Sequence, residues 1–386
     1  MNVQFLKLKL IFIISICLVP ILDAENFYNY QQRVNKDFIN YKNMTNKNFF
    51  AYKDAQEKAM KEFVKELRVS WKDPQLSTKY QWVEYSNDLQ RRKSIDYKKH
   101  IIHFEVYSTD KKEALKKFSL MLDETLQEDV STAHKKDLLE HKIATILHTK
   151  ASPVHSSAKL IGNNIDKKDL KQIEKSLNIN NINTYIYKEK EIYTIDILLP
   201  NRVMTKNAMR FQKEIFFNAK REKLPASLIY AIIHSESAFN PMARSYIPAF
   251  GLMQIVPKSA GIDAYYYLYG YKKLLSAEYL YKPDKNIRIG SAYLHLLFYN
   301  YFKHIINNES RLYCTIAAYN TGTGNVARAF GSRGNISSAI QKINRLSSRE
   351  VYNILLSNLP YDETKHYLKI VNQRRYMYQK FFSKKG

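Results

Sequence analysis

Apolar residues follow two different periods along this chain. Ala55, Ala59, Phe63 and Leu67 recur at helical spacing, and so do Leu115, Phe118, Leu122 and Leu126. Both sets predict helices, over 54–67 and 112–126. Between them, residues 95–107 alternate in part through His100, Ile102, Phe104 and Val106, as a half-buried strand should. A second alternation predicts a hairpin with arms at 184–187 and 192–199, joined around Lys188 to Glu191. Tyr193, Ile195, Ile197 and Leu199 then point one way. Polar stretches at 156–168 and 178–183 read as loops.

Beyond residue 200 the pattern is helical almost throughout. One helix starts at Pro225, a residue suited to a first turn, and runs through Glu236 until Asn240-Pro241 ends it. Two more are expected at 286–302, with Asp284 at its start, and at 312–319. Eight of the ten glycines lie between Gly251 and Gly334, which sets this region apart from what precedes it. The expected fold class is α+β, with a mixed α/β domain at 25–200 followed by an all-α domain at 201–386.

The helix beginning at Pro225 carries the candidate chemistry. Leu228, Ile229, Ile232 and Ile233 form one stripe, and Glu236 falls on it. A carboxyl so directed is desolvated and sits at the negative end of its helix, and both effects raise its pKa toward that of a general acid. Periodicity alone is equally compatible with a partly exposed glutamate in the last turn.

A family resemblance adds to this reading. Glu236-Ser237-x-Phe239-Asn240-Pro241, then Ser245, then Ala249-x-Gly251-Leu252-Met253-Gln254-Ile255 resembles the core of the soluble lytic transglycosylases. Asn286-Ile287-x-x-Gly290-x-x-Tyr293-Leu294, Ala318-Tyr319-Asn320-x-Gly322 and Glu363-Thr364-Lys365-x-Tyr367 resemble that family's later motifs, in the same order. The first module is similar, around residues 80–108, to that of the family's membrane-bound C subgroup. Pro248-Ala249 departs from the usual Gly-Ala, and Leu224-Pro225 from the usual Asp-Pro.

The resemblance implies a lysozyme-like catalytic domain that cleaves peptidoglycan between N-acetylmuramic acid and N-acetylglucosamine, leaving 1,6-anhydro ends. It implies Glu236 as the catalytic acid and base. Ser245, Met253, Gln254, Tyr319, Asn320, Glu363 and Tyr367 are implied as substrate-binding residues. No cofactor or metal is called for. Core aromatics are the alternative for Tyr319 and Tyr367, and turn residues for Gly251 and Gly322, with the functional reading preferred for Tyr319 and Gln254. The alternatives are a lysozyme- or chitinase-type hydrolase, which needs a second carboxylate, and a catalytically silent wall-binding protein. Asp263 and Asp284 are acids that sequence cannot place.

Charge and targeting set the context. With 61 Lys and Arg against 36 Asp and Glu, the net charge of +25 favours anionic partners such as cell-wall polymer. Lys7 and Lys9 before an apolar run from Leu10 to Leu22 read as a signal peptide over 1–24, and hence as export to the periplasm. The basic stretch from Arg374 to Lys385 is therefore assigned to wall or membrane surface and not to nucleic acid. Cys17 lies inside the signal; lipid attachment there, which would anchor the chain at the outer membrane, is the less favoured option because Ile14-Ser15-Ile16 is a poor lipidation context. Cys314 is then the one mature cysteine, and the expected state is a monomer.

Overall fold

The computed structural model describes residues 43–162 and 165–384; the expected signal segment and Cys17 lie outside the described residues. Residues 43–70 are helical (α1). The described residues divide into two units between Ala51 and Tyr52, and the sheet and all later helices belong to the second.

After α1 come strands β1 (Gln81–Tyr85), β2 (Arg91–Asp96) and β3 (Ile101–Tyr107), then helices α2 (Lys111–Gln127), α3 (Val130–Lys135), α4 (Leu138–Ile146) and α5 (Lys167–Glu174). Strands β4 (Asn183–Tyr187) and β5 (Lys190–Leu198) complete an antiparallel sheet in the order β1-β2-β3-β5-β4. Everything beyond is helical: α6 (Asn201–Met209), α7 (Gln212–Glu222), α8 (Ala226–Ser237), α9 (Ile262–Tyr269), α10 (Ala277–Leu280) and α11 (Pro283–His295), then α12 (Asn308–Thr321), α13 (Thr323–Ala329), α14 (Ile336–Ile343), α15 (Ser348–Asn358) and α16 (Asp362–Ser383). The α+β class with an all-helical C-terminal part is thus as expected. Among the described residues, no helix is long and apolar enough to cross a membrane.

The sheet is covered on both faces. Ile102, Phe104 and Val106 lie opposite Ile197, Ile195 and Tyr193, and this face packs on α2, with the Phe104 and Phe118 rings stacked at 6.3 Å. The other face sets Val83, Tyr85 and Ile192 against Ala55, Ala59, Phe63 and Leu67 of α1 and Leu139 and Ile143 of α4. The first of these cores continues without a break from Trp82 into the helices as far as Tyr378.

Several expectations need adjusting. Residues 95–107 are not one strand: β2 and β3 form a hairpin that pairs Ile95 with Ile102. The Asp96 carboxylate accepts from the backbone of Lys98 and Lys99 (3.0 and 2.8 Å), and His100 takes a positive φ of 63°, so the chain turns where alternation suggested it ran straight. The 286–302 helix starts earlier, at Pro283, and widens into a π-helical turn after His295. Pro225 stands just outside α8, and the 312–319 helix extends to 308–321, capped by Asn307.

The second hairpin is present, with a tighter turn than expected. Only Lys188 and Glu189 separate the strands, and both have positive φ (49° and 64°), the geometry of a two-residue turn whose twist matches its strands. A side chain at Glu189 is strained there. Glu189→Gly should therefore raise stability by about 0.5–1 kcal/mol, the left-handed penalty relieved less the added chain entropy, as read by chemical denaturation.

Candidate active site

Helix α8 has no polar face. From Ser227 to Ser237 only His234 is not fully buried, which is the signature of a helix inside a core. The Tyr230 ring lies 5.0 and 5.1 Å from those of Tyr378 and Phe382 on α16. The helix stops when Ala238 and Phe239 adopt left-handed φ of 49° and 66°, before the proline that was expected to end it. Its last turn is tied from three sides. Tyr80 donates its hydroxyl to the Ser235 carbonyl (2.7 Å), Arg374 donates to the Ser235 hydroxyl (2.9 Å), and the Ser237 hydroxyl donates to the Leu252 carbonyl (2.8 Å). His234 is 3.0 Å from the Tyr378 hydroxyl and is held in the core.

Glu236 sits in that turn, 9% exposed. Burial pushes its carboxyl up to about 7; the Tyr367 hydroxyl and the Lys79 charge oppose this rise, and the Glu363 charge adds to it. The Tyr367 hydroxyl is buried and has no full hydrogen bond, although it faces the carboxyl.

The segment after α8 forms a tight turn. Phe250 and Ile255 exchange backbone hydrogen bonds (3.2 and 3.1 Å) around Gly251, Leu252, Met253 and Gln254. Asn286 of α11, fully buried, fills the turn: its amide donates to the Phe250 and Leu280 carbonyls (2.8 and 2.7 Å), and its oxygen accepts from the Met253 backbone (2.8 Å). Gly251 is required twice over. Its φ is +72°, and a Cβ would lie 2.3 Å from both the Asn286 amide and the Leu280 carbonyl. At Gly290 a Cβ would lie 2.3 Å from the Met253 sulfur, so Met253 packs where α11 has no side chain.

The later motifs close on this turn. Tyr319 donates its hydroxyl to the Met253 carbonyl (2.8 Å), and the Glu236 charge acts on Tyr319 and Tyr367 alike. The Thr364 hydroxyl donates to Asn320 (2.7 Å), joining α12 to α16. Glu236, Tyr319 and Tyr367 are thus brought together, with Met253 bonded to Tyr319, whereas Asn320 is bonded to Thr364. Glu363 stands at the rim with its side chain 75% exposed, 3.7 Å from Lys79.

Ser245 and Gln254 face a different task. Gln254 donates its amide to the Ala243 and Gly251 carbonyls (both 3.1 Å), and Ser245 donates its hydroxyl to the Ile247 carbonyl. Among the described residues, no hydrogen bond links either to Glu236. The Ser245 loop is instead anchored by α1 and the start of α4. Gln56 of α1 donates to the Ser245 and Tyr246 carbonyls (3.1 and 3.0 Å), and buried Arg244 pairs with Asp137 and, at 3.5 Å, with Glu140. Burial holds the Glu140 carboxyl up at about 7. Neither Asp263 nor Asp284 is among the groups acting on Glu236, and Asp284 pairs with Lys285 at 3.1 Å. Lys79 and Tyr80 were not identified as site residues from sequence, being placed by folding alone; Thr364 lay in a quoted motif, and Arg374, expected in a basic stretch facing wall or membrane, instead turns inward to Ser235.

Comparison with known proteins adds an independent observation. Residues 213–342 match the transglycosylase SLT domain family. That segment holds Glu236, the turn, Asn286 and Tyr319-Asn320, and it ends before Glu363 and Tyr367. The chain is 37% identical over 238 residues to the membrane-bound lytic murein transglycosylase C of Histophilus somni (strain 2336), covering 59% of this chain and 64% of that protein. To the protein of the same name from Cronobacter sakazakii it is 39% identical over 190 residues, covering 49% and 52%. The chain therefore spans less than two thirds of the length of these relatives. A solved 70-kDa soluble lytic transglycosylase from Escherichia coli aligns over 45% of this chain and 24% of its own, at 26% identity and a TM-score of 0.35.

The packing of the site sets two expected outcomes. An unfolded Glu236 titrates near 4.5 and the folded one near 7, so the folded state holds the proton more tightly and loses stability as pH rises between those values. Glu236→Gln should match the parent near pH 4 and exceed it above pH 7 by no more than about 3 kcal/mol, in denaturation followed across pH. Gly251→Ala should lower stability by about 3 kcal/mol in the same assay, since both its φ and its backbone neighbour forbid a side chain.

Proposed function

We propose that this chain is a peptidoglycan lytic transglycosylase, cleaving the β-1,4 bond between N-acetylmuramic acid and N-acetylglucosamine with formation of 1,6-anhydromuramic ends. The observation that carries the reading is a single buried carboxyl, protonated near neutral pH, where the motifs of the SLT segment meet. Such a group donates its proton to the glycosidic oxygen as the bond to C1 breaks. As carboxylate it then takes the proton of the muramoyl C6 hydroxyl, whose oxygen closes on C1. The nucleophile is already tethered to the substrate at high effective molarity, so no second acid is needed. Tyr367 and Tyr319 border the carboxyl, and Tyr367 is placed to steady its ionised form. The expected signal peptide supports action in the periplasm, and the relatives are named membrane-bound; an anchor at Cys17, which would hold the chain at the outer membrane, stays the less favoured option.

One observation favours a second reading. Glu363 is a carboxylate whose charge reaches Glu236, and a hydrolase uses two such groups. Its exposure and its pairing with Lys79 suit a rim contact better than a buried nucleophile.

Product analysis decides between them. Glu236→Gln should lower turnover on purified sacculi by about 10²–10⁴-fold, the loss typical of a general acid–base group. Mass spectrometry of the parent's products should find 1,6-anhydro ends, and Glu363→Gln should keep turnover within about tenfold of the parent. Reducing ends, together with a Glu363→Gln loss as large as that of Glu236→Gln, would establish a hydrolase.

A further inference from the structure

The Lys79–Tyr80 pair belongs to the sheet module yet reaches the end of α8. The Lys79 carbonyl accepts from Asn240 at 3.4 Å, and the Tyr80 hydroxyl is bonded one residue before Glu236. These two bonds hold the Lys79 carbonyl and the neighbouring Tyr80 ring, and the Lys79 side chain rises over that ring with its ammonium 5.1 Å from the ring centre. The side chain is 35% exposed, so it stands at the rim of the site.

Its one ion-pair partner among the described residues is Glu363, at a long 3.7 Å and on a side chain 75% exposed. An ion pair of that kind adds little and exchanges readily. The bonds from Lys79 to Asn240 and from Tyr80 to Ser235 set this side chain at the end of α8 that carries Glu236, beside which a bound glycan must lie. The glycan of the proposed reaction carries carboxylates close to the bond that breaks. They are the lactyl group of the muramoyl unit when unsubstituted, and those of the peptide stem when it is attached.

Resting on the transglycosylase reading, we propose that Lys79 is a specificity-determining residue whose ammonium receives a substrate carboxylate beside the scissile bond, in exchange for Glu363. The sheet module thereby supplies part of the substrate site. Glu363 acts as the internal counter-ion that is displaced on binding.

The test compares the full chain with Lys79→Met and Lys79→Arg on three soluble glycans. One bears native stems, a second has its stem carboxylates converted to methylamides, and a third has been stripped of stems to expose lactyl carboxylates. Lys79→Met should raise KM about fivefold on a carboxylate-bearing glycan, the loss of one partly exposed ion pair, with kcat little changed. Lys79→Arg should restore the parent value. An effect on native stems that vanishes on methylamides assigns the contact to the stem, and an effect confined to stripped strands assigns it to the lactyl group. Equal losses on all three glycans, or a fall in kcat alone, would overturn the proposal and leave Lys79 as a support for the end of α8. A parent inactive on every glycan would instead remove the transglycosylase reading, and this inference with it.

Discussion

A carboxyl must be kept inside a core at the end of a helix that has no polar face, and much of the surrounding structure answers to that constraint. The closing turn of α8 exposes backbone carbonyls to the interior, where each needs a donor. Tyr80 supplies one to Ser235, and Arg210 another to Phe239 at 3.1 Å. The donors come from parts of the chain distant in sequence, so the last turn is assembled only when those parts have packed. Glu236 itself is excluded from water without a strong partner. That combination raises its pKa, where a close cation would have lowered it.

The turn from Gly251 to Gln254 is a second consequence. It passes so close to α11 that two glycines and one asparagine are the residues which fit, and Asn286 converts three buried backbone groups from costs into bonds. Through the Met253 carbonyl the turn then orients Tyr319 beside the acid. Residues that read as pieces of separate motifs are in physical terms one hydrogen-bonded unit.

The sheet module contributes to the same region from the other side. Arg244 is buried against Asp137 and Glu140, with the Tyr52 hydroxyl donating to Glu140 at 3.3 Å. Removing one member of such a buried group is expected to cost about 3–5 kcal/mol, because the charge left behind has no water. With Gln56 this group fixes the loop that carries Ser245, so the path of that loop is written partly in residues 52–140.

Periodicity was sufficient to find α1, α2, α8, α11 and α12, the second hairpin and the α+β class, because side-chain burial repeats with the backbone's own geometry. Glu236 lay on an apolar stripe, but periodicity left its burial open, and the motif resemblance singled it out. The strand Gln81–Tyr85 and the β2–β3 turn were not legible, since a sheet covered on both faces mixes buried positions of either parity, as Trp82 and Val83 show. The role of Asn286 and the approach of Lys79, Tyr80 and Arg374 depend on segments far apart in the chain, 161 residues in the case of Lys79 and Asn240. Their meeting is decided by how much apolar surface each packing buries and which polar groups it satisfies, quantities that exist only between elements and leave no mark on any one of them.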